Sequence, residues 1–453
     1  MKIDITIPSA NKGEFSKIKL GYENSEGQYI VVQLNINFRN LYVFTKRTNG
    51  IEFDLFLIGC IVYGIDVLLP RRIYSIDGWS REIEVELPVE SPEIFNNGKN
   101  VLEHLLSFLT GDYWSITFIK RNELQMYKFK GKEDKDVCKD SYRTSHTKVS
   151  LFSGGLDSLV GVIDHLASSN DRIVLVSHYD SVFNGMKTDQ DKLIEPLSRT
   201  YKHYHLLQTR VDLSSLDQNG NKRINESSLR SRSFLFLCKA IFVANTINSD
   251  IEVLIPENGT ISLNHPLTPS RSSSCSTRTA HPYYLSKIEE FISILGLQHS
   301  IKNEYEMKTK GEMLEECKNR NFLLTSVISS NSCAKRGHKK YWDLRTATHC
   351  GICMPCLYRR VALNKIGIDC KNVGIDIFNS NRPLNELPDI PAFLDYMKQP
   401  LTIEDIERNL LVNGTLPLEK LRDYADVVCR TRDEIKAWIR ENRNEEILKI
   451  IDL

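Results

Sequence analysis

The chain has 453 residues, 41% of them hydrophobic, which suits two or three packed domains and excludes a peptide hormone, a disulfide miniprotein or a disordered tail. Lys and Arg number 59 against 58 for Asp and Glu, and a net charge of +1 gives no overall attraction to nucleic acid or to an anionic membrane. Three of the 11 cysteines crowd into Cys350-Gly-Ile-Cys353-Met-Pro-Cys356, where a soft metal fits better than disulfides, so a reducing cytoplasm is the expected compartment.

Met1 to Pro8 alternates polar and apolar residues like a strand and lacks the apolar stretch of a signal peptide, so export is not expected. Residues 1–145 read as a mainly β domain: strands at Ile3–Ile7, Tyr29–Phe38, Ile73–Ser75, Glu82–Leu87 and Trp114–Ile119, and one helix near Val101–Thr110. The longest apolar run, Leu55 to Ile65, is broken by Gly59 and Gly64 and falls far short of the roughly 20 residues that span a bilayer. No membrane protein is expected, and Arg71 and Arg72 read as a solvated face. The charged stretch Lys130 to Asp140 has no hydrophobic period and reads as a linker, with a boundary near residue 145.

Beyond it, strands and helices alternate: strand Val149–Phe152, helix Leu159–Leu166, strand Ile173–Ser177, helix Asp189–Thr200, strand Tyr204–Gln208, helix Leu229–Thr246 and strand Glu252–Ile255. This alternation predicts an α/β domain over residues 146–375, a parallel sheet with helices on both faces and ligands at the carboxyl ends of its strands. Residues 376–453 read as a helical tail, with amphipathic segments at Asp405–Val412, Pro417–Cys429 and Arg432–Ile450.

The sharpest signal is Ser153-Gly154-Gly155-Leu156-Asp157-Ser158, directly after a strand and directly before a helix. Two glycines permit positive φ and close backbone approach, so successive N–H groups and the helix N-terminus can surround an anion, with the Ser153 and Ser158 hydroxyls as further donors. The loop lacks the Lys of G-x-x-x-x-G-K-[ST] and the spacing of G-x-G-x-x-G. Asp157 offers a carboxylate beside the bound phosphates, suited to Mg²⁺.

Cys333, Cys350, Cys353 and Cys356 supply four thiolates, the number a closed tetrahedral Zn²⁺ site needs. The other cysteines are scattered and read as core filling.

The loop resembles that of the PP-loop ATP pyrophosphatases, in which S-G-G-x-D-S grips the β,γ-pyrophosphate of ATP while a substrate oxygen attacks the α-phosphorus. Together with Cys350-Gly-Ile-Cys-Met-Pro-Cys-Leu-Tyr-Arg359-Arg-Val-Ala362, preceded by Ser332-Cys333, it is similar to 7-cyano-7-deazaguanine synthases, the QueC family. The resemblance implies a HUP-like nucleotide-binding fold with a zinc knuckle, binding of ATP and Mg²⁺, and a catalytic role for Asp157, Ser158 and Lys310, the last in Lys308-Thr-Lys310-Gly-Glu-Met. Lys310 reads equally as a solvated lysine at a helix start.

It covers residues 146–370. The N-terminal extension, the segment Leu109-Thr-Gly-Asp112-Tyr-Trp114 and the helical tail resemble the longer QueC-like proteins of bacterial anti-phage operons, the Qat type in particular. The chain departs from the synthases at Arg230-Ser-Arg232-Ser233, Glu257-Asn258-Gly259 and Thr277-Arg278-Thr-Ala-His281-Pro282. Arg232 and Arg278 can hold a carboxylate or phosphate, and Glu257, beside Asn258, can accept from a purine-like edge; each reads as well as a structural ion pair or cap. His178 can line an adenine pocket or fill the core, and His281 reads as a cap for the next helix.

The implied function is adenylation of a 7-carboxy-7-deazaguanine-type carboxylate and its coupling to an amine, from ammonia or from a protein partner encoded nearby, with AMP and pyrophosphate released. A nitrile-forming synthase, a tRNA sulfurtransferase and a nucleotide-binding scaffold are the alternatives. The sulfurtransferase needs a redox-active cysteine and a basic RNA-binding surface, which the near-neutral composition does not indicate.

Overall fold

A computed structural model describes residues 1–7, 17–122, 124, 126, 138–181, 185–267, 278–369 and 371–453. Most of the linker stretch and Thr277 lie outside these residues. The strands are β1 (Lys2–Thr6), β2 (Ile18–Glu23), β3 (Tyr29–Ile36), β4 (Glu82–Val89), β5 (Tyr113–Lys120), β6 (His146–Leu151), β7 (Arg172–Tyr179), β8 (Tyr204–Leu213), β9 (Glu252–Leu254) and β10 (Ile301–Lys302). They form one ten-stranded sheet in the order β10-β9-β6-β7-β8-β3-β2-β1-β4-β5. Pairing is parallel from β10 to β8 and again through β1, β4 and β5; β8–β3, β3–β2 and β2–β1 are antiparallel. The molecule is thus α/β, with a large, mostly parallel sheet and a helical C-terminal region.

β3 joins the two halves by pairing with β8 in the register Leu34↔Leu213, so strands on either side of residue 145 share one sheet. Alternation along β7 sorts the layers: Ile173 and Leu175 face helices Leu156–Ser168 and Met186–Thr200, whereas Val174 and Val176 face helices Ile51–Leu68 and Arg232–Ile247. The Ile51–Leu68 helix contains the apolar run Leu55–Ile65, which is too short to span a bilayer. It is buried all round from Phe53 onward, so it belongs inside the molecule, and no described helix is long and apolar enough to cross a membrane.

The first 145 residues are therefore not mainly β. Besides their five strands they carry the Ile51–Leu68 and Lys99–Thr110 helices, and Arg71–Tyr74 forms a helical turn where a strand was expected. Arg71 is 4% exposed rather than solvated. Its guanidinium donates to Asp112 at 2.7 and 3.0 Å, and Arg81 donates to the same carboxylate through its main-chain N (3.0 Å), Nε (3.0 Å) and Nη2 (2.6 Å). Asp66 completes the cluster, accepting from Arg81 Nη2 at 2.7 Å and from Ser231 N and Oγ at 3.0 and 2.9 Å. The Leu109–Trp114 segment is thus structural. Gly111 ends the helix in the left-handed region, Thr110 Oγ1 accepts from Trp114 Nε1 at 3.0 Å, and Asp112 neutralises two buried arginines.

In the tail, the two segments expected at Pro417–Cys429 and Arg432–Ile450 are a continuous helix, Leu421–Asn442, followed by Glu445–Ile450. Its Trp438 and Ile439 pack with Phe378, Ile377 and Cys353, so the tail completes the core around the cysteines.

Candidate functional site

The chain runs from β6 to β7 to β8 and then returns to β9 on the other side of β6. The carboxyl end of β6 is therefore the topological switch point, where strand connections diverge and leave a crevice. Ser153 to Ser158 occupies that position and leads into helix Leu156–Ser168. Gly154 has φ +86°, and a Cβ there would lie 3.3 Å from Gln190 N, so neither conformation nor space favours another residue. Ser153 Oγ accepts from Gly155 N at 3.2 Å and lies 3.2 Å from Ser158 Oγ. No side chain caps the helix, so its first N–H groups face the crevice without a side-chain acceptor.

Four of the residues singled out in the sequence meet here from three separate segments. Asp157, in the first helical turn, accepts from Lys310 Nζ at 2.7 and 2.5 Å. Glu257 and Asn258, after β9, hydrogen-bond to the same carboxylate. Burial pushes Glu257 well above the usual carboxylate range, and the neighbouring Asp157 carboxylate raises it further. Burial alone would raise Asp157 as well, but Lys310 and the hydrogen bonds from Glu257, Lys310 and Asn258 hold it below its ordinary value. Asn258 also caps helix Gly259–Leu263, accepting from Ile261 N at 3.1 Å.

Lys310 is 5% exposed, not a solvated lysine. Thr309 caps its helix in a capping box with Glu312, and Thr309 Oγ1 donates to Glu434 Oε1 at 2.5 Å. Lys365 Nζ donates to the same oxygen at 2.9 Å, while Arg430 holds Glu312 at 2.7 Å. Two residues of the Leu421–Asn442 helix thus fix the turn that presents Lys310. Nothing in the sequence marked Glu434, which is one carboxylate among many on an amphipathic helix.

The four cysteine sulfurs lie within 4.8 Å of one another. Cys350 Sγ accepts from Ile352 N at 3.5 Å and from Cys353 N at 3.3 Å, and Cys333 Sγ from Cys350 N at 3.3 Å. Main-chain N–H groups aimed at sulfur stabilise thiolates, and four converging thiolates can hold a metal ion. Gly351 has φ +81°, and a Cβ would fall 2.2 Å from Ile375 O, so the turn between Cys350 and Cys353 requires glycine. The cluster adjoins the loop: Asn331 N donates to Gly154 O at 3.1 Å, and Asn331 Oδ1 accepts from Cys333 N at 2.9 Å. Arg359, in the helix Met354–Lys365 that carries Cys356, fixes this connection by donating to Ser330 Oγ at 2.8 Å and Val327 O at 2.6 Å.

Three expected site residues lie elsewhere. His178, on β7, is fully buried against Tyr63 and bonds through Nε2 to Val211 O at 2.9 Å. Arg232 stands over Phe236 at 5.3 Å, near Tyr63 and Asp180, with burial lowering its pKa. Arg278 covers Phe108 at 4.2 Å and donates to the Phe108 carbonyl at 2.7 Å, which ties residue 278 to the end of helix Lys99–Thr110. His281 caps its helix as expected, Nδ1 accepting from Tyr283 N at 3.2 Å. No family model, curated protein or solved structure matches the chain.

Proposed function

We propose that the chain is an ATP-dependent ligase of the QueC-like kind, acting in anti-phage defence, that adenylates a 7-carboxy-7-deazaguanine-type carboxylate and joins it to an amine. The observation that carries this reading is the convergence of Asp157, Lys310, Glu257 and Asn258 on an uncapped glycine loop at the switch point of the sheet. Such a loop suits the pyrophosphate of ATP, and the buried lysine beside it supplies the compensating charge.

A carboxylate resists attack by an amine because oxide is a poor leaving group. When its oxygen attacks the α-phosphorus, the α–β phosphoanhydride breaks and pyrophosphate leaves; the amine then attacks the acyl carbon and AMP departs. The N–H groups of residues 154–158 and the Lys310 ammonium stabilise the charge on the leaving pyrophosphate. Asp157 is the carboxylate that would hold Mg²⁺, which when bound neutralises phosphate charge. Its depressed pKa keeps it ionised for that task. Zn²⁺ suits the four cysteines, whose closed, compact arrangement favours a structural ion over the reactive thiol of a sulfurtransferase.

The test is pyrophosphate release from ATP in the presence of 7-carboxy-7-deazaguanine. Release that requires the carboxylate and stops in Asp157→Ala and in Lys310→Ala, both still folded, supports the ligase. Release unaffected by either substitution overturns it.

A further inference from the structure

Between the first and second cysteines of the cluster, Lys335-Arg-Gly-His-Lys-Lys-Tyr-Trp-Asp-Leu-Arg345 carries five cations and one carboxylate. Its charge of +4 exceeds the +1 of the whole chain, so the remainder is net negative at −3. The stretch is anchored at its base. Trp342 is 4% exposed and packs with Cys353, Ile375 and Phe378, and Arg336 pairs with Asp189 on the helix whose Gln190 touches Gly154. Its tip points outward: Tyr341 is 57% and Leu344 41% exposed. Lys335 and Arg336 have acidic partners in Asp389 and Asp189, but Lys339, Lys340 and Arg345 make no ion pair among the described residues.

We propose that Lys335–Arg345 is a docking surface for an acidic, partly apolar segment of a partner protein, held beside the Ser153–Ser158 loop. Unpaired cations alternating with an exposed tyrosine and leucine match carboxylates alternating with apolar side chains, and they recruit such a segment electrostatically. A nucleic acid strand fits less well. The Lys340 ammonium covers the Tyr341 ring at 4.7 Å, on a face that a base would need for stacking, and the rest of the chain, at a net charge of −3, adds no overall attraction for a long phosphate backbone. Asn331 connects the cysteine module to Gly154, and Arg336 pairs with Asp189 next to the Gln190 that adjoins Gly154, so the stretch is anchored close to the loop. The purpose of docking, delivery of a protein amine, rests on the ligase reading; the surface itself does not.

The experiment uses the full chain, a short fluorescein-labelled peptide of alternating Glu and Leu, and a labelled thymidine oligonucleotide of the same length. Fluorescence anisotropy should show salt-sensitive binding of the peptide, weakened about tenfold or more in Lys339→Glu/Lys340→Glu/Arg345→Glu. Unchanged metal content and circular dichroism show that the variant is folded, and Lys340→Ala alone gives a milder second test. No peptide binding by the wild type, binding unaffected by the charge reversal, or tighter binding of the oligonucleotide overturns the proposal. Pyrophosphate release with the free carboxylate, measured in parallel, should be unchanged by the triple substitution. Its absence from the wild type would remove the ligase reading and leave the surface standing.

Discussion

Replacing Asp112 by Ala probes the lock that joins the N-terminal helices to the sheet. Asp112 is 1% exposed and accepts five hydrogen bonds, two from Arg71 and three from Arg81. Without it both guanidinium groups must share Asp66, which lies 2.7 Å from Arg81 but 3.6 Å from Arg71. Breaking a buried charge cluster by removing one member leaves an uncompensated charge and costs about 3–5 kcal/mol, far more than the pair contributes over an apolar substitute. Urea unfolding followed by tryptophan fluorescence reads the change, since Trp79 and Trp114 both adjoin the cluster. Asp140→Ala, which removes the ion pairs of a 71% exposed carboxylate with Lys46 and Arg143, serves as the control and should leave the midpoint in place. A loss below about 1 kcal/mol for Asp112→Ala would refute the reasoning and mean that water reaches the arginines.

Cys353→Ser should abolish metal retention and yield insoluble protein, as judged by metal analysis of the soluble fraction; a soluble, metal-bearing variant that lost activity would indicate a catalytic thiol. Lys239 is fully buried with its pKa pushed down by burial to about 7, against 10.5 in the unfolded chain. The unfolded state therefore binds the extra proton between those values, and stability should rise by about 1.4 kcal/mol per pH unit from pH 7 toward 10.5, a slope that Lys239→Met removes in denaturant titrations. Glu434→Ala should raise KM for ATP severalfold by releasing Thr309 and the turn bearing Lys310, with Glu434→Gln restoring most of the affinity; equal values for all three proteins would make Glu434 a bystander.

The elements with a clear period were legible in the sequence. The alternation of β6 to β9 with helices and the strand-glycine-helix junction at Ser153–Ser158 rest on local physics, and the structure places them as expected. The four cysteines were equally legible, because sulfur ligands announce themselves by type and spacing. The Ile51–Leu68 helix was not, since a helix buried on every side has no polar face and so no period to detect. The separate β domain was misread for another reason. The pairing of β3 with β8 joins residues nearly 180 positions apart, as Leu34 with Leu213, and nothing local encodes it. Arg71 looked like a surface charge because only the fold brings it to Asp112. The same limit hid Glu434, whereas Lys310 was marked by the resemblance, and Glu257 and Asn258 by a departure from it, before any geometry joined them to Asp157.

The central claim, that a carboxylate is activated on the α-phosphate of ATP, is tested most directly with 7-carboxy-7-deazaguanine labelled with oxygen-18 in its carboxylate. Attack on the α-phosphorus leaves one carboxylate oxygen on the phosphate when the amine displaces AMP. Mass spectrometry of the nucleotide product should therefore find AMP carrying a single oxygen-18, with none formed by Asp157→Ala. Unlabelled AMP, or ADP in its place, would contradict the account.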